Sequence, residues 1–331
     1  MSESRYRSIL ESGVQENEQK DNGKLQSFTE RKDTTIRIPI IHIILFLTTV
    51  VTTLITGSQM VGGNPFDNIS DIIMGVPFSF SLLLILGCHE FGHYYYARKY
   101  NVNATLPYFL PAPPFFPIIG TFGAFIRIKS PIYRKRVLLH IGAAGPIAGF
   151  VVSVFMILLG YMIIPNQEYV TQQILGAHHG IVFDDSTSQS VQLVMGNSIL
   201  FSAMASLFNV IVPMNEIYHF PLIFSGWVGF LVTMLNLLPL GQLDGGHIAY
   251  AALGEKQNRY SKWIFLSLIP LGFLSANWWF WAVLILVLMR TWKHPPIMDI
   301  DRTLTKNDNY IALACLIIFI TCFMPVPVYV L

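Results

Sequence analysis

The sequence predicts an all-α polytopic membrane protein of about seven transmembrane helices, with a short membrane-associated β-hairpin between the second and third. Three observations support this. Hydrophobic residues make up 53% of the 331 positions and charged residues only 12%, a balance outside that of ordinary soluble domains. The apolar residues gather in blocks of the length that crosses a hydrocarbon core, about 20 residues of helix. All 21 lysines and arginines fall on alternate connecting segments, as they do where positive charge stays on the cytosolic side of a membrane.

Residues 1–36 are polar and mix acids with bases, and they lack the apolar run of a signal peptide and the acid-poor character of a transit peptide. They read as a disordered cytosolic tail, with residues 37–331 forming the transmembrane domain. Spans are expected near 37–56, 74–97, 137–164, 222–243, 262–275, 277–290 and 309–331. The fifth and sixth are short and joined tightly through Ser275, Ala276 and Asn277, as in a hairpin of tilted helices. The segments 57–73 and 165–221 carry no basic residue but hold Asp67, Asp71, Glu168, Asp184, Asp185 and Glu216, so they face the outer side and the amino terminus faces the cytosol. Gly196–Pro213 is apolar, but a crossing there would put Lys256, Arg259 and Lys262 outside. It reads as an interfacial or re-entrant helix. Cys88, Cys315 and Cys322 fall within spans without CxxC pairing, so no disulfide framework or cysteine-rich metal site is indicated.

The string HEFGH, residues 89–93, ends the second apolar block. Histidines four apart lie about 40° apart around a helix, so His89 and His93 can hold one metal ion with Glu90 beside it. In water-soluble zincins this pattern supplies two imidazole ligands and a carboxylate that takes a proton from water at the metal. A short motif also arises by chance, as a structural polar cluster or an inactive relic. Ionisable groups inside a span are costly, however, and mark functional sites by default.

Two histidines leave zinc short of a third protein ligand. The other acid in an apolar block is Asp244, in NLLPLGQLDGGH from Asn236 to His247. Pro239, Gly241, Gly245 and Gly246 interrupt the helix there and free backbone groups where the chain lines a polar cavity. Asp244 is either that ligand or a cap for the following helix; His247 is a weaker alternative ligand.

Together HEFGH and NLLPLGQLDGG resemble the site-2 protease family of intramembrane zinc metallopeptidases, whose patterns are HExxH on one helix and NxxPxxxLDG on a later one. The resemblance covers about residues 75–300 and includes PYFLPAPPFFPIIGTFGAFIRIKSPI, IGAAGPIAG and HPPIMD. It implies one Zn2+ per chain held by His89, His93 and Asp244, with Glu90 as general base and acid. Asn236 would help hold the substrate backbone, and the substrates would be transmembrane proteins cut within the bilayer. No segment is long enough for a PDZ insertion, so the likeness is to the compact branch of the family.

Phe125, Arg127 and Lys129 alternate with Ile126 and Ile128 in a strand-like period, and Gly120 and Gly123 permit a tight turn ahead of them. This stretch is either a surface hairpin or an edge that pairs with an unwound substrate; on the second reading Gly120 and Gly123 join Asn236 as substrate-binding positions. His178 and His179 with Asp184 and Asp185 read as a solvated outer loop. His140, His219 and His294 read as packing or helix-end residues. A catalytically dead scaffold of the same fold lacks a reason to keep Glu90, and a metal-binding transporter would show paired repeats with matching broken helices. Nucleic-acid binding has no support, since the basic residues follow topology. A prokaryotic plasma membrane is the plainest location, with a plastid membrane the alternative only if the polar tail is that of a mature product.

Overall fold

Residues 39–113, 119–178, 193–289, 291–295, 297 and 303–330 are described by the computed structural model. The expected tail at 1–36 lies outside them, as do His179, Asp184 and Asp185. Among the described residues the chain forms ten α-helices, two 3-10 helices and four short strands. In order they are α1 (Ile40–Met60), a 3-10 turn (Ile69–Gly75), α2 (Val76–Lys99), β1 (Tyr108–Pro111), β2 (Thr121–Phe125), α3 (Lys135–Met162), α4 (Gln167–Ala177), β3 (Leu193–Met195) and α5 (Ile199–Ala205). A second 3-10 turn (Ile217–His219) then leads to α6 (Pro221–Asn236), α7 (Asp244–Leu253), α8 (Lys256–Leu274), α9 (Asn277–Met289), α10 (Lys306–Cys322) and β4 (Val328–Val330).

Three stretches are long and apolar enough to cross a membrane: Ile40–Met60, Ile69–Lys99 and Lys135–Met162. Their outward faces carry exposed Leu47, Val151 and Phe155, as suits a surface bathed in hydrocarbon. Of the other expected spans, those at 222–243 and 309–331 are shorter than the sequence predicts, while the helix expected at 262–275 begins earlier, at Lys256. The helix expected over 222–243 stops at Asn236, because Pro239 and the glycines after it cannot continue the ladder. The helix expected to run to the end of the chain stops at Cys322. Pro325 and Pro327 lack amide donors, and Val328–Val330 instead pairs antiparallel with β3. α5 has seven residues, about 10 Å of helix, too short to cross.

α3 is the central helix, packed against by α2, α6, α7 and α10. Small residues let these backbones approach closely, the usual device between helices in lipid. A Cβ on Gly92 of α2 would lie 2.6 Å from the Ala144 carbonyl of α3, and one on Gly226 of α6 would lie 2.8 Å from the Ser153 carbonyl. Phe78, Leu82, Leu138, Leu139, Ile157, Phe224 and Phe230 fill the space between them.

α1 turns a threonine face inward. Thr49, Thr53 and Thr56 are buried, and Thr49 and Thr53 return their hydroxyls to carbonyls four residues back at 2.7 and 2.8 Å. Thr53 also meets Ser79 of α2 at 2.7 Å. Below this, His42 donates from Nδ1 to the Pro107 carbonyl at 3.0 Å and stacks on Tyr108. α1 thereby braces β1, which pairs antiparallel with β2 from Tyr108↔Phe125 to Pro111↔Thr121. Among the described residues the strands form only two two-stranded sheets.

The last helix is fixed by a buried acid. Asp308 of α10 accepts from His140 Nε2 at 2.8 Å and Arg136 Nε at 3.1 Å, both on α3, and closes a capping box with Thr305. The helix-end role expected for His140 is what this network contains.

Candidate metal centre

The second half of α2 turns His89, Glu90 and His93 toward α3, and all three are buried. Room for the two imidazoles comes from α3. In IGAAGPIAG, Gly142, Gly145 and Gly149 recur at helical spacing and share one face. A Cβ on Gly145 would overlap the His93 ring, and one on Gly149 would stand 3.1 Å from His89 Nδ1. Gly142 lies under α7, where a Cβ would meet the Asp244 carbonyl at 3.2 Å. The glycine stripe is a cradle for the histidines.

Asp244 arrives from the other side. After α6 ends, the loop from Leu237 to Leu243 is tied down at its middle: Ser261 donates to the Pro239 carbonyl at 2.7 Å, and the Gly241 amide donates to the Trp292 carbonyl at 3.1 Å. Gly241 has φ +50°, a left-handed turn that favours glycine. α7 then begins hard against this loop. A Cβ on Gly245 would overlap the Leu237 carbonyl, and one on Gly246 would lie 2.6 Å from the Leu240 carbonyl. The two glycines after Asp244 therefore let the helix start where its first residue faces α2.

The result is a triangle. His89 Nε2 and His93 Nε2 are 3.1 Å apart, and each lies 3.3 Å from Asp244 Oδ2. Ligand atoms held tetrahedrally at zinc bond lengths stand about 3.3 Å from one another, so the donor set and its spacing fit that ion. His93 donates from Nδ1 to the Ile141 carbonyl at 2.7 Å. A carbonyl can only accept, so the proton of the neutral ring is on Nδ1 and the Nε2 lone pair faces the triangle. Glu90 is adjacent and buried, and its carboxyl lies near the Ile126 backbone just past β2.

Asn236, the last residue of α6, brings its side-chain amide to 3.3 Å from His89 Nε2. Of the two glycines expected to bind substrate, Gly123 lies in β2 and Gly120 just precedes it. Gly120 (φ +67°) packs on α1, where a Cβ would lie 2.7 Å from the Thr52 carbonyl, while Gly123 (φ +98°) has open space where its Cβ would be. His247 contacts His294 Nε2 at 2.7 Å and does not belong to the cluster of His89, His93 and Asp244.

A model of peptidase family M50 matches residues 77–273. This chain belongs to that family. Within the M50 match lie HEFGH, the glycine stripe and the Asp244 loop. The chain is similar to the probable zinc metalloprotease EGY2, chloroplastic, of Arabidopsis thaliana, at 30% identity over 264 residues, 79% of this chain and 43% of that protein. It is also similar to the probable zinc metalloprotease EGY1, chloroplastic, of the same plant, at 28% identity over 251 residues, 74% of this chain and 42% of that one. A third relative is the probable zinc metalloprotease EGY3, chloroplastic, of Oryza sativa subsp. indica, at 27% identity over 209 residues, 61% of this chain and 33% of that protein. This M50 chain thus spans less than half the length of these curated relatives. No solved structure matches. The chloroplastic relatives lend no support to the expected prokaryotic plasma membrane.

A second grouping escaped the sequence reading. His178, assigned there to a solvated loop with Asp184 and Asp185, lies beside Glu216 and His219, and these three also offer metal-ligating atoms within 4.8 Å of one another. The pairings span 38 and 41 residues of chain, so no local spacing signals them.

Proposed function

We propose that this chain is an intramembrane zinc metalloprotease that hydrolyses peptide bonds of membrane-spanning proteins. The observation that carries the reading is the convergence of His89, His93 and Asp244 on a triangle of zinc-like dimensions beside Glu90. His89, His93 and Asp244 would hold one ion. Zinc in that position supplies Lewis-acid activation of a water molecule and of the scissile carbonyl.

The remaining steps belong to side chains. Glu90 takes a proton from the attacking water as its oxygen bonds to the carbonyl carbon, then delivers that proton to the departing nitrogen as the C–N bond breaks. One water is consumed, leaving a carboxyl and an amine. Asn236, at the mouth of the triangle, donates to the substrate backbone. A helix hides its carbonyls in its own hydrogen bonds, so the substrate must unwind. β2 runs into Ile126, whose backbone meets Glu90, so a substrate segment paired along that strand would pass the general base. Recognition of this kind reads backbone more than side chain.

Seven crossings with a cytosolic amino terminus remain our topology, supported by the 57–73 and 165–221 segments that carry no lysine or arginine. The deciding assay uses the full chain in proteoliposomes with a single-span substrate. Cleavage should stop with a chelator, return with zinc and be absent in Glu90→Gln, which still holds the metal. Full cleavage by Glu90→Gln would falsify the mechanism.

A further inference from the structure

The grouping of His178, Glu216 and His219 repeats the geometry of the first triangle. His178 Nε2 lies 3.0 Å and His219 Nε2 3.1 Å from the same oxygen, Glu216 Oε2, and the two nitrogens are 3.2 Å apart. The imidazoles cross at 80° with centroids 4.9 Å apart; His89 and His93 cross at 68° with the same separation. The outer parallel extends to the supporting contact. His219 Nδ1 donates to the Met60 carbonyl, as His93 Nδ1 does to Ile141, and this directs the Nε2 lone pair of the neutral ring at the carboxylate. Met60 is the last residue of α1, so its carbonyl has no partner within the helix.

A closed triangle of two imidazole nitrogens and one carboxylate oxygen, each facing the other two, is the arrangement a single cation satisfies. We infer that His178, Glu216 and His219 form a second metal site, distinct from the catalytic one, for a borderline divalent ion of the zinc type. Two imidazoles and a carboxylate are the donor set that such ions accept, whereas calcium and magnesium prefer oxygen alone. The surroundings favour a cation, because residues 165–221 include no lysine or arginine.

The two sites are far apart. His219 stands just ahead of α6 and Asn236 at its end, so a 16-residue helix, about 24 Å, separates the second site from the first. The second triangle gathers the carboxyl end of α4, where His178 is the cap, the turn before α6 and, through Met60, the end of α1. A metal there clips the end of α4 onto the turn before α6 and holds the start of α6, the helix that carries Asn236.

Metal content of the full chain, purified in detergent with any affinity tag removed, tests this. The wild type should hold about two zinc ions and Glu216→Gln about one. His89→Ala with His93→Ala should also hold about one, and adding Glu216→Gln to that pair should remove it. Cobalt titration of the His89→Ala, His93→Ala protein gives a second reading that leaves the outer cluster intact, with visible bands expected at one equivalent. A folded wild type with a single zinc that Glu216→Gln retains overturns the second site and leaves the proteolytic reading standing. The converse, one zinc lost with Glu216→Gln but kept without His89 and His93, overturns the proteolytic reading alone.

Discussion

Gly145 leaves vacant the volume that the His93 ring fills, so that a single methyl group at position 145 would overlap the imidazole. A ligand on one helix is thus shaped by a missing side chain on another. Gly145→Ala should push His93 out of the triangle and cost about 1–3 kcal/mol in stability through overpacking. Zinc content and thermal unfolding in detergent check it. Gly176→Ala, at a helical glycine with open space where its Cβ would be, should leave the inner triangle's zinc unchanged and raise stability by about 0.4–1 kcal/mol.

Asp244 completes the triangle and Glu90 does not, so their substitutions should separate. Asp244→Ala should lose the zinc of this triangle, and with it cleavage, while the outer cluster keeps its own ion. Glu90→Gln should keep the zinc while cleavage falls at least about 100-fold, the scale of a lost general base. Parallel metal analysis and proteoliposome assays distinguish the two patterns, and equal zinc loss in both would move Glu90 among the ligands.

Asn236 contacts the cluster from its rim, where its amide is 3.3 Å from His89 Nε2. Asn236→Ala should leave zinc unchanged and lower kcat/KM about 10-fold, the value of one hydrogen bond to substrate. An unchanged kcat/KM would remove Asn236 from substrate binding.

Asp308 is 1% exposed and Arg136, its partner, is 57% exposed, which predicts unequal effects. Asp308→Ala strips acceptors from His140, Thr305 and Arg136 together and should cost about 3 kcal/mol. Arg136→Ala, a largely solvated partner, should cost less than about 1 kcal/mol. Thermal unfolding of the two variants tests the ranking.

HEFGH and NLLPLGQLDGG named the residues of the first triangle because helical periodicity and helix-breaking residues are local properties, written in consecutive positions. The apolar blocks likewise located α1, α2 and α3 closely, since hydrocarbon length is a one-dimensional constraint. Helix ends were harder to read. α6 stops at Asn236 and α10 at Cys322, where proline and strand pairing outweigh an apolar composition that continues unbroken.

What only the tertiary structure decided is which distant groups meet. The Ile141 carbonyl that orients His93, the glycine face of α3 that admits both rings and the pairing of His247 with His294 depend on helix packing. The outer triangle is the clearest case. His178 read as a residue of a solvated loop and His219 as a packing or helix-end residue, and they come together with Glu216 because α4 and the turn before α6 end side by side against α1. The sequence by itself determined the three long apolar helices and the HEFGH motif, both encoded by short-range patterns. Close packing of helices through small residues decided the rest, because contacts made across about forty positions leave no period for a sequence to display.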